Sequence, residues 1–202
     1  MISQDLKWNT HIRDGQNSLI KQLTGRINGL KRIARNSTFE TRRMVANGIV
    51  LSKLVYLIHL WGGAQIYLLK ALYVQQMVAA RTVCGFQSFN WSNRRVLEKI
   101  GWLSLRQLAF YHTVLQVHRT LVTKVPSPLY DSLSSVYPYN TRSAAAENIR
   151  FGESFRSEQL SFRSRARLQY NQVPVEVRTG SLDTVKRKLK NWIKLNVPID
   201  WG

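Results

Sequence analysis

In the stretch from Ser18 to Arg35 the apolar positions are Ile20, Leu23, Ile27, Leu30 and Ala34, spaced alternately by three and four. That spacing draws one stripe along an α-helix. Lys21, Asn28, Arg32 and Arg35 fall on the opposite face. Gly25 and Gly29 lie between the faces, where the lack of a Cβ leaves room for another backbone or a phosphate. Asn36-Ser37 ends this helix, and Ser37 with Glu40 forms the capping-box pattern that starts a second. The second helix carries Met44, Leu51, Leu54 and Ile58 and stops at Gly62-Gly63. A third, from Ala64 to Val83, carries Leu68, Leu69, Leu72, Val74 and Met77. Helix, short turn, helix, double glycine, helix predicts a small antiparallel bundle.

Beyond Gly85 to Asn90, which reads as a loop, a short helix is predicted from Asn93 to Ile100, closing on Gly101. Ser104 and Gln107 repeat the capping-box pattern and open a helix from Leu105 to Val122 that is apolar nearly all round, as in a helix buried on most sides. Pro126 and Pro128 break the chain before a short helix near Leu129 to Leu133. The pattern weakens from Val136 to Leu160, where Pro138, Gly152 and scattered Ser and Asn predict loops. Helices resume from Phe162 to Gln172 and from Leu182 to Leu195. The last has Ser181 as its cap and Leu182, Val185, Leu189, Trp192 and Ile193 as its apolar face, with Arg187, Lys190 and Lys194 opposite.

Charge changes this picture of an ordinary helical protein. The chain of 202 residues carries a formal charge of +19. Acids are scarce: no Asp or Glu occurs from Thr41 to Leu97. A compact state repels itself under such an imbalance unless a polyanion neutralises it. RNA or DNA is the first expectation for a partner, and an anionic membrane surface the second. The window Met44 to Gly63 approaches the length of a membrane span, but Asn47, Lys53 and His59 interrupt it, so it reads as a buried helix. Cys84 stands alone and Met1 to Arg13 holds no long apolar run. These features predict a reducing compartment, nuclear or cytoplasmic, and a protein that is not secreted.

Catalytic chemistry finds no foothold in the pattern. Metal-assisted phosphoryl transfer needs gathered carboxylates, whereas the acids here are scattered. Glu147, Glu153 and Glu158, the closest group, fall where loops are predicted. His112 and His118 share a helix but point about 120 degrees apart, and one Cys cannot complete a zinc site. No Gly-rich phosphate loop is present, so no catalytic, metal or cofactor residue and no small-molecule substrate is predicted. What remains is cationic, in three clusters. The first is Lys21, Arg32 and Arg35 with Arg42 and Arg43. The second is FRSEQLSFRSRARLQY, where Arg156, Arg163, Arg165 and Arg167 alternate with Phe155, Phe162 and Tyr170. The third is KRKLKNWIK, residues 186 to 194. One such run is commonly a solvated helix face; three with so few acids point to phosphate. The aromatics of the second cluster are read chiefly as core at helical spacing, with base stacking as the alternative.

DLKWNTHI, GRINGLKRI, RRMVANGIVLSKLVYLIHLWGG and GWLSLRQLAFYHTVLQVHRTL, followed by PYNTRSAAAENIRFG, RARLQYNQVP and LKNWIKLNVPID, resemble in order the C-terminal part of the reverse transcriptases of non-LTR retrotransposons, the jockey-like group in particular. The resemblance covers essentially the whole chain. It implies a remnant of the palm's end over residues 1–16, a helical thumb over 17–85 and a post-thumb region over 86–202. It places the family's catalytic acids, and the Mg they hold, in a palm upstream that has no counterpart here, nor do the fingers. It implies a truncated element copy or an incomplete gene model, catalytically silent alone. In such an enzyme the thumb lays a basic face along the template–primer duplex.

The sequence therefore predicts a mainly α protein: an antiparallel thumb-like bundle, then a helical post-thumb module with loops. The expected function is template–primer binding as part of an RNA-directed DNA polymerase. The expected contacts are Lys21, Asn28, Arg32, Arg35, Arg42, Arg43, Arg163, Arg165, Arg167, Arg187, Lys190 and Lys194. A free-standing basic helical protein that binds DNA or RNA is the alternative, and a membrane-surface structural protein stands behind it.

Overall fold

The computed structural model describes residues 8–133, 149 and 162–201. Among these the chain is mainly α-helical and has no strand. The helices are α1 (Leu19–Ala34), α2 (Phe39–Ala46), α3 (Ser52–Val55), α4 (Ile58–Trp61), α5 (Ile66–Cys84), α6 (Asn93–Ile100), α7 (Leu105–Thr123), α8 (Ser127–Leu133), α9 (Phe162–Gln172), α10 (Val175–Arg178) and α11 (Leu182–Asn196). A π-helical turn, Thr10–Asp14, precedes α1, a second, Asn47–Leu51, joins α2 to α3, and a 3-10 turn, Phe86–Asn90, follows α5. The loops expected from Val136 to Leu160 lie outside the described residues, apart from Ile149.

The described residues form two compact units. The first holds 8–57, 64–108 and 198–201; the second holds 58–63, 109–133, 149 and 162–197. The expected thumb boundary after residue 85 falls inside the first unit. Residues 86–108 belong with the predicted bundle, because α6 packs on α5 through Val96, Leu97 and Ile100.

In the first unit α1 packs on α5. Leu19, Leu23, Ile27 and Leu30 are buried on α1; Leu68, Leu69, Leu72, Met77, Ala80 and Val83 are buried on α5. Burying side chains of this size removes about 1.5–3 kcal/mol each from contact with water. Gly85 ends α5 at φ 85 and Gly101 ends α6 at φ 79, a region that non-glycine residues seldom occupy. The Ser104–Gln107 pattern forms as a reciprocal capping box. The Ser104 backbone N–H donates to Gln107 Oε1 at 3.1 Å, and the Gln107 N–H to Ser104 Oγ at 3.3 Å.

Three expectations fail here. Ser37 does not cap the second helix: Thr38 does, accepting from the Thr41 N–H at 3.3 Å, while the Ser37 hydroxyl donates back to the Ile33 carbonyl. Nor is the buried face quite the expected one: Met44 is 71% exposed and Leu51 half-buried, while Ala46 and Val50 are buried along with the expected Leu54 and Ile58. Their spacing of four fits the turn Asn47–Leu51, where a π-turn holds an extra residue and rotates the apolar face. Finally, the run from Met44 to Gly62 is not one helix. Tyr56 is extended and Leu57 sits at φ 53, so the chain breaks before α4.

In the second unit Gly62 and Gly63 do more than stop a helix. A Cβ at Gly62 would lie 2.5 Å from the Ile58 carbonyl oxygen and 2.8 Å from the Ala109 Cβ. A Cβ at Gly63 would overlap Nη1 of Arg165. The buried faces of α9 and α11 are Ala166 and Tyr170, and Val185, Leu189 and Ile193. Trp192 lies against Phe110 with ring centroids 5.9 Å apart.

Two stability predictions follow from these contacts. Trp102 Nε1 donates to Asn47 Oδ1 at 2.7 Å, tying the π-turn to the loop before α7. Trp102→Phe keeps most of the buried ring and loses that bond, so the urea midpoint should fall by the equivalent of about 1 kcal/mol. In the second unit burial lowers the His112 pKa from 6.5 to about 4, with His59 adding to the shift. Burial moves His59 and His118 in the same direction. A base whose folded pKa is depressed binds its proton more readily when unfolded. The stability from neutral His112 is therefore complete above pH 6.5 and is lost as the pH falls from 6.5 towards 4. The expected loss is on the order of 3 kcal/mol. Denaturation across that window should show His112→Gln flattening the dependence, and His59 and His118 supplying what is left.

Candidate nucleic-acid interface

The described residues of the first unit carry fifteen Lys and Arg against four acids. With the α1 stripe buried on α5, the basic side of α1 is forced outward. Lys21, Asn28, Arg32 and Arg35 are all exposed, and α1 contains no acid along its length. Gly25 and Gly29 have nothing within 4 Å of an added Cβ, so neither makes room for a neighbouring backbone. Arg43 is half-buried and pairs with Glu40 at 2.9 Å. An exposed ion pair of this kind stabilises by about 0–1 kcal/mol, leaving the guanidinium free to exchange partners.

Arg35 and Arg42 come from different helices and meet at one groove. Its volume is about 550 Å³, and it is lined by Lys31, Ala34, Arg35, Arg42, Val78, Arg81, Thr82, Gly85, Phe86 and Phe89. None of the four cations there makes an ion pair with a described residue. Arg42 Nε donates to the Thr38 carbonyl at 3.3 Å, and its Nη1 would touch a Cβ at Gly85 at 3.4 Å. Arg81 has a different task. It donates to the carbonyls of Ser88, Phe89 and Trp91 and to Asn93 Oδ1 at 2.9 Å, and so pins the turn that follows α5. Ser88, fully buried, ties the same turn to the Gly85 carbonyl at 2.6 Å. Cys84 stands beside this site without chemistry of its own, because burial pushes its thiol pKa up against the opposing pull of Lys99, Arg42 and Arg81.

The second cluster divides. Arg163 is exposed. Arg165 is half-buried and donates through Nη2 to the carbonyls of His59 and Leu60, at 2.6 and 3.3 Å, and burial lowers its pKa. Arg167 donates to the Ser132 carbonyl. Arg165 and Arg167, both expected as phosphate contacts, thus spend donors on backbone carbonyls and hold the fold together. Their carbonyl partners lie far away in sequence, where no local pattern reveals them. Phe162 stands edge-on to His59 at 5.9 Å and Tyr170 is buried beneath Arg178, 4.7 Å from its ring, so both serve packing. Arg156 and Phe155 lie outside the described residues. On α11, Arg187, Lys190 and Lys194 are exposed on one side, while Lys186 pairs with Asp183 at 2.9 Å.

The pattern reading missed Lys31, Arg81, Phe86 and Phe89. The available signal was two Phe three apart in a polar segment straight after a glycine. No family model, curated protein or solved structure matches the chain. Among the described residues, no group of three or more His, Cys, Asp or Glu is placed to hold a metal ion, and no helix is long and apolar enough to cross a membrane.

The two fates of arginine in α9 give a direct test. Arg165→Met should strand the His59 and Leu60 carbonyls and cost about 1–3 kcal/mol in thermal or urea unfolding. Arg163→Gln, on the exposed side, should change unfolding by less than about 0.5 kcal/mol.

Proposed function

We propose that this chain binds nucleic acid through the phosphate backbone, as a template–primer-gripping C-terminal piece of an RNA-directed DNA polymerase of the non-LTR retrotransposon kind. The observation that carries the binding part is the exposed, acid-free outer face of α1, bearing Lys21, Arg32 and Arg35 with Asn28 between them. A stripe of cations on a rigid helix fits a regular line of phosphates, and Arg presents a planar fork of donors to each. The polymerase part rests on the ordered resemblance of GRINGLKRI, RRMVANGIVLSKLVYLIHLWGG and GWLSLRQLAFYHTVLQVHRTL to that family. In this reading the chain contributes grip rather than chemistry. The catalytic acids and their Mg belong to a palm.

The test is the salt dependence of duplex binding. Lys21→Gln with Arg32→Gln keeps helix propensity and leaves the buried stripe untouched. On B-DNA each lost phosphate contact flattens the slope of log affinity against log salt by roughly 0.9. The double variant should lose about twice that, and equally on unrelated sequences, because phosphate contacts carry no base information. Arg187→Gln with Lys190→Gln on α11 is the comparison. A wild-type slope in both double variants removes both faces from the interface. A marked preference for one sequence favours the free-standing regulatory binder instead.

A further inference from the structure

Phe86 is 91% exposed and Phe89 67% exposed, an unusual place for two large rings. They are not on a loose loop. The turn Phe86–Asn90 is 3-10, with about three residues per turn, so positions three apart lie on one side. The rings accordingly stand together edge to face, with centroids 5.6 Å apart. Arg81 and Ser88 hold the backbone beneath them by hydrogen bonds to Gly85, Ser88, Phe89 and Trp91. Gly85, at φ 85, sets the turn's direction from the end of α5. The outcome is a pinned aromatic pair in the lining of the 550 Å³ groove, which Lys31, Arg35 and Arg42 also line.

We infer that this groove binds a single-stranded segment of nucleic acid, stacking an unpaired base on Phe86 and Phe89 while Lys31, Arg35 and Arg42 take the flanking phosphates. The inference rests on the proposed nucleic-acid reading and deepens it, because the outer face of α1 grips backbone whereas this groove accepts a base that has left the duplex. A base offers two apolar faces and its sugar-phosphate a negative charge close by. The groove offers rings and cations in one lining, and that lining contains no acid. Every base has a π-face, so the recognition is of strandedness rather than sequence. A concave site of this size accepts one inserted group.

The experiment uses the whole chain and three probes: a short oligothymidylate, the same strand made abasic, and a blunt duplex hairpin closed by a non-nucleotide linker, which has no unpaired base. Phe86→Ala with Phe89→Ala removes exposed rings, so the fold should hold, and circular dichroism checks it. Oligothymidylate affinity should fall roughly tenfold or more in this variant, with an unchanged salt slope, because no charge is lost. Hairpin affinity should stay at the wild-type value. The abasic strand should bind the wild type about as weakly as oligothymidylate binds the variant. Phe86→Leu with Phe89→Leu, apolar but without a π-face, should behave as the Ala variant does. Arg35→Gln with Arg42→Gln should flatten the single-strand slope by roughly 0.7 per contact. Wild-type oligothymidylate affinity in the Ala variant overturns the inference and leaves duplex gripping standing. A wild-type chain that binds neither strand nor hairpin overturns both. If the Ala variant loses self-association, or binding to vesicles of mixed phosphatidylserine and phosphatidylcholine, while keeping its strand affinity, the rings belong to another occupant and the inference falls.

Discussion

The burial of one stripe, Leu19, Leu23, Ile27 and Leu30 of α1 on α5, decides where everything else in the first unit goes. Four such side chains together remove roughly 6–12 kcal/mol worth of apolar surface from water. Repulsion between exposed cations is much weaker at physiological salt, where charges more than about 8 Å apart are largely screened. Packing therefore wins and sets the charge pattern. With the stripe inside, Lys21, Arg32 and Arg35 have only the outside left, and no acid on α1 meets them. The basic face is a consequence of the core.

Arginine has two fates in this protein, and the carbonyls near it decide between them. Arg81 and Arg165 reach backbone oxygens that helices have left without partners, around Ser88–Trp91 and at His59–Leu60. A hydrogen bond from a charged donor contributes about 1.5–3 kcal/mol, and a guanidinium can make several at once. Such a group is structural glue and is withdrawn from solvent. Arg32, Arg163 and Arg187 find no such oxygens and stay exposed. Arg42 is intermediate: one hydrogen bond goes to Thr38, and the rest of its fork faces the groove.

The two glycine-dependent turns show how close packing places the charges. Gly63 leaves the space that the Arg165 guanidinium fills, so a helix-stopping residue also makes room for the cation that satisfies α4. Gly85 turns the chain so that Phe86 and Phe89 emerge beside Arg42 rather than folding back onto α5. Each arrangement joins a backbone constraint to a charge over a distance that no short motif spans.

Periodicity alone determined the all-α class, the spans of α1, α5, α6, α7, α9 and α11 to within two or three residues, and the caps at Ser104 and Ser181, because these depend on neighbours three or four positions apart. It also placed Lys21, Arg32, Arg187 and Lys190 on outward faces, since each lies opposite a clear apolar stripe. Only the tertiary structure decided the break at Tyr56–Leu57, where the apolar run continues without a local stop and the chain passes from one unit to the other. Tertiary contacts likewise decided that residues 86–108 cluster with the first unit, through the packing of α6 on α5. They also separated Arg163 from Arg165 and joined Lys31 and Arg35 to Arg42 and the Phe86–Phe89 pair. The physical reason is common to all of these. A helix face is a local property of the chain, whereas the partner that satisfies a guanidinium, or the wall that faces an exposed ring, comes from residues that only folding brings near.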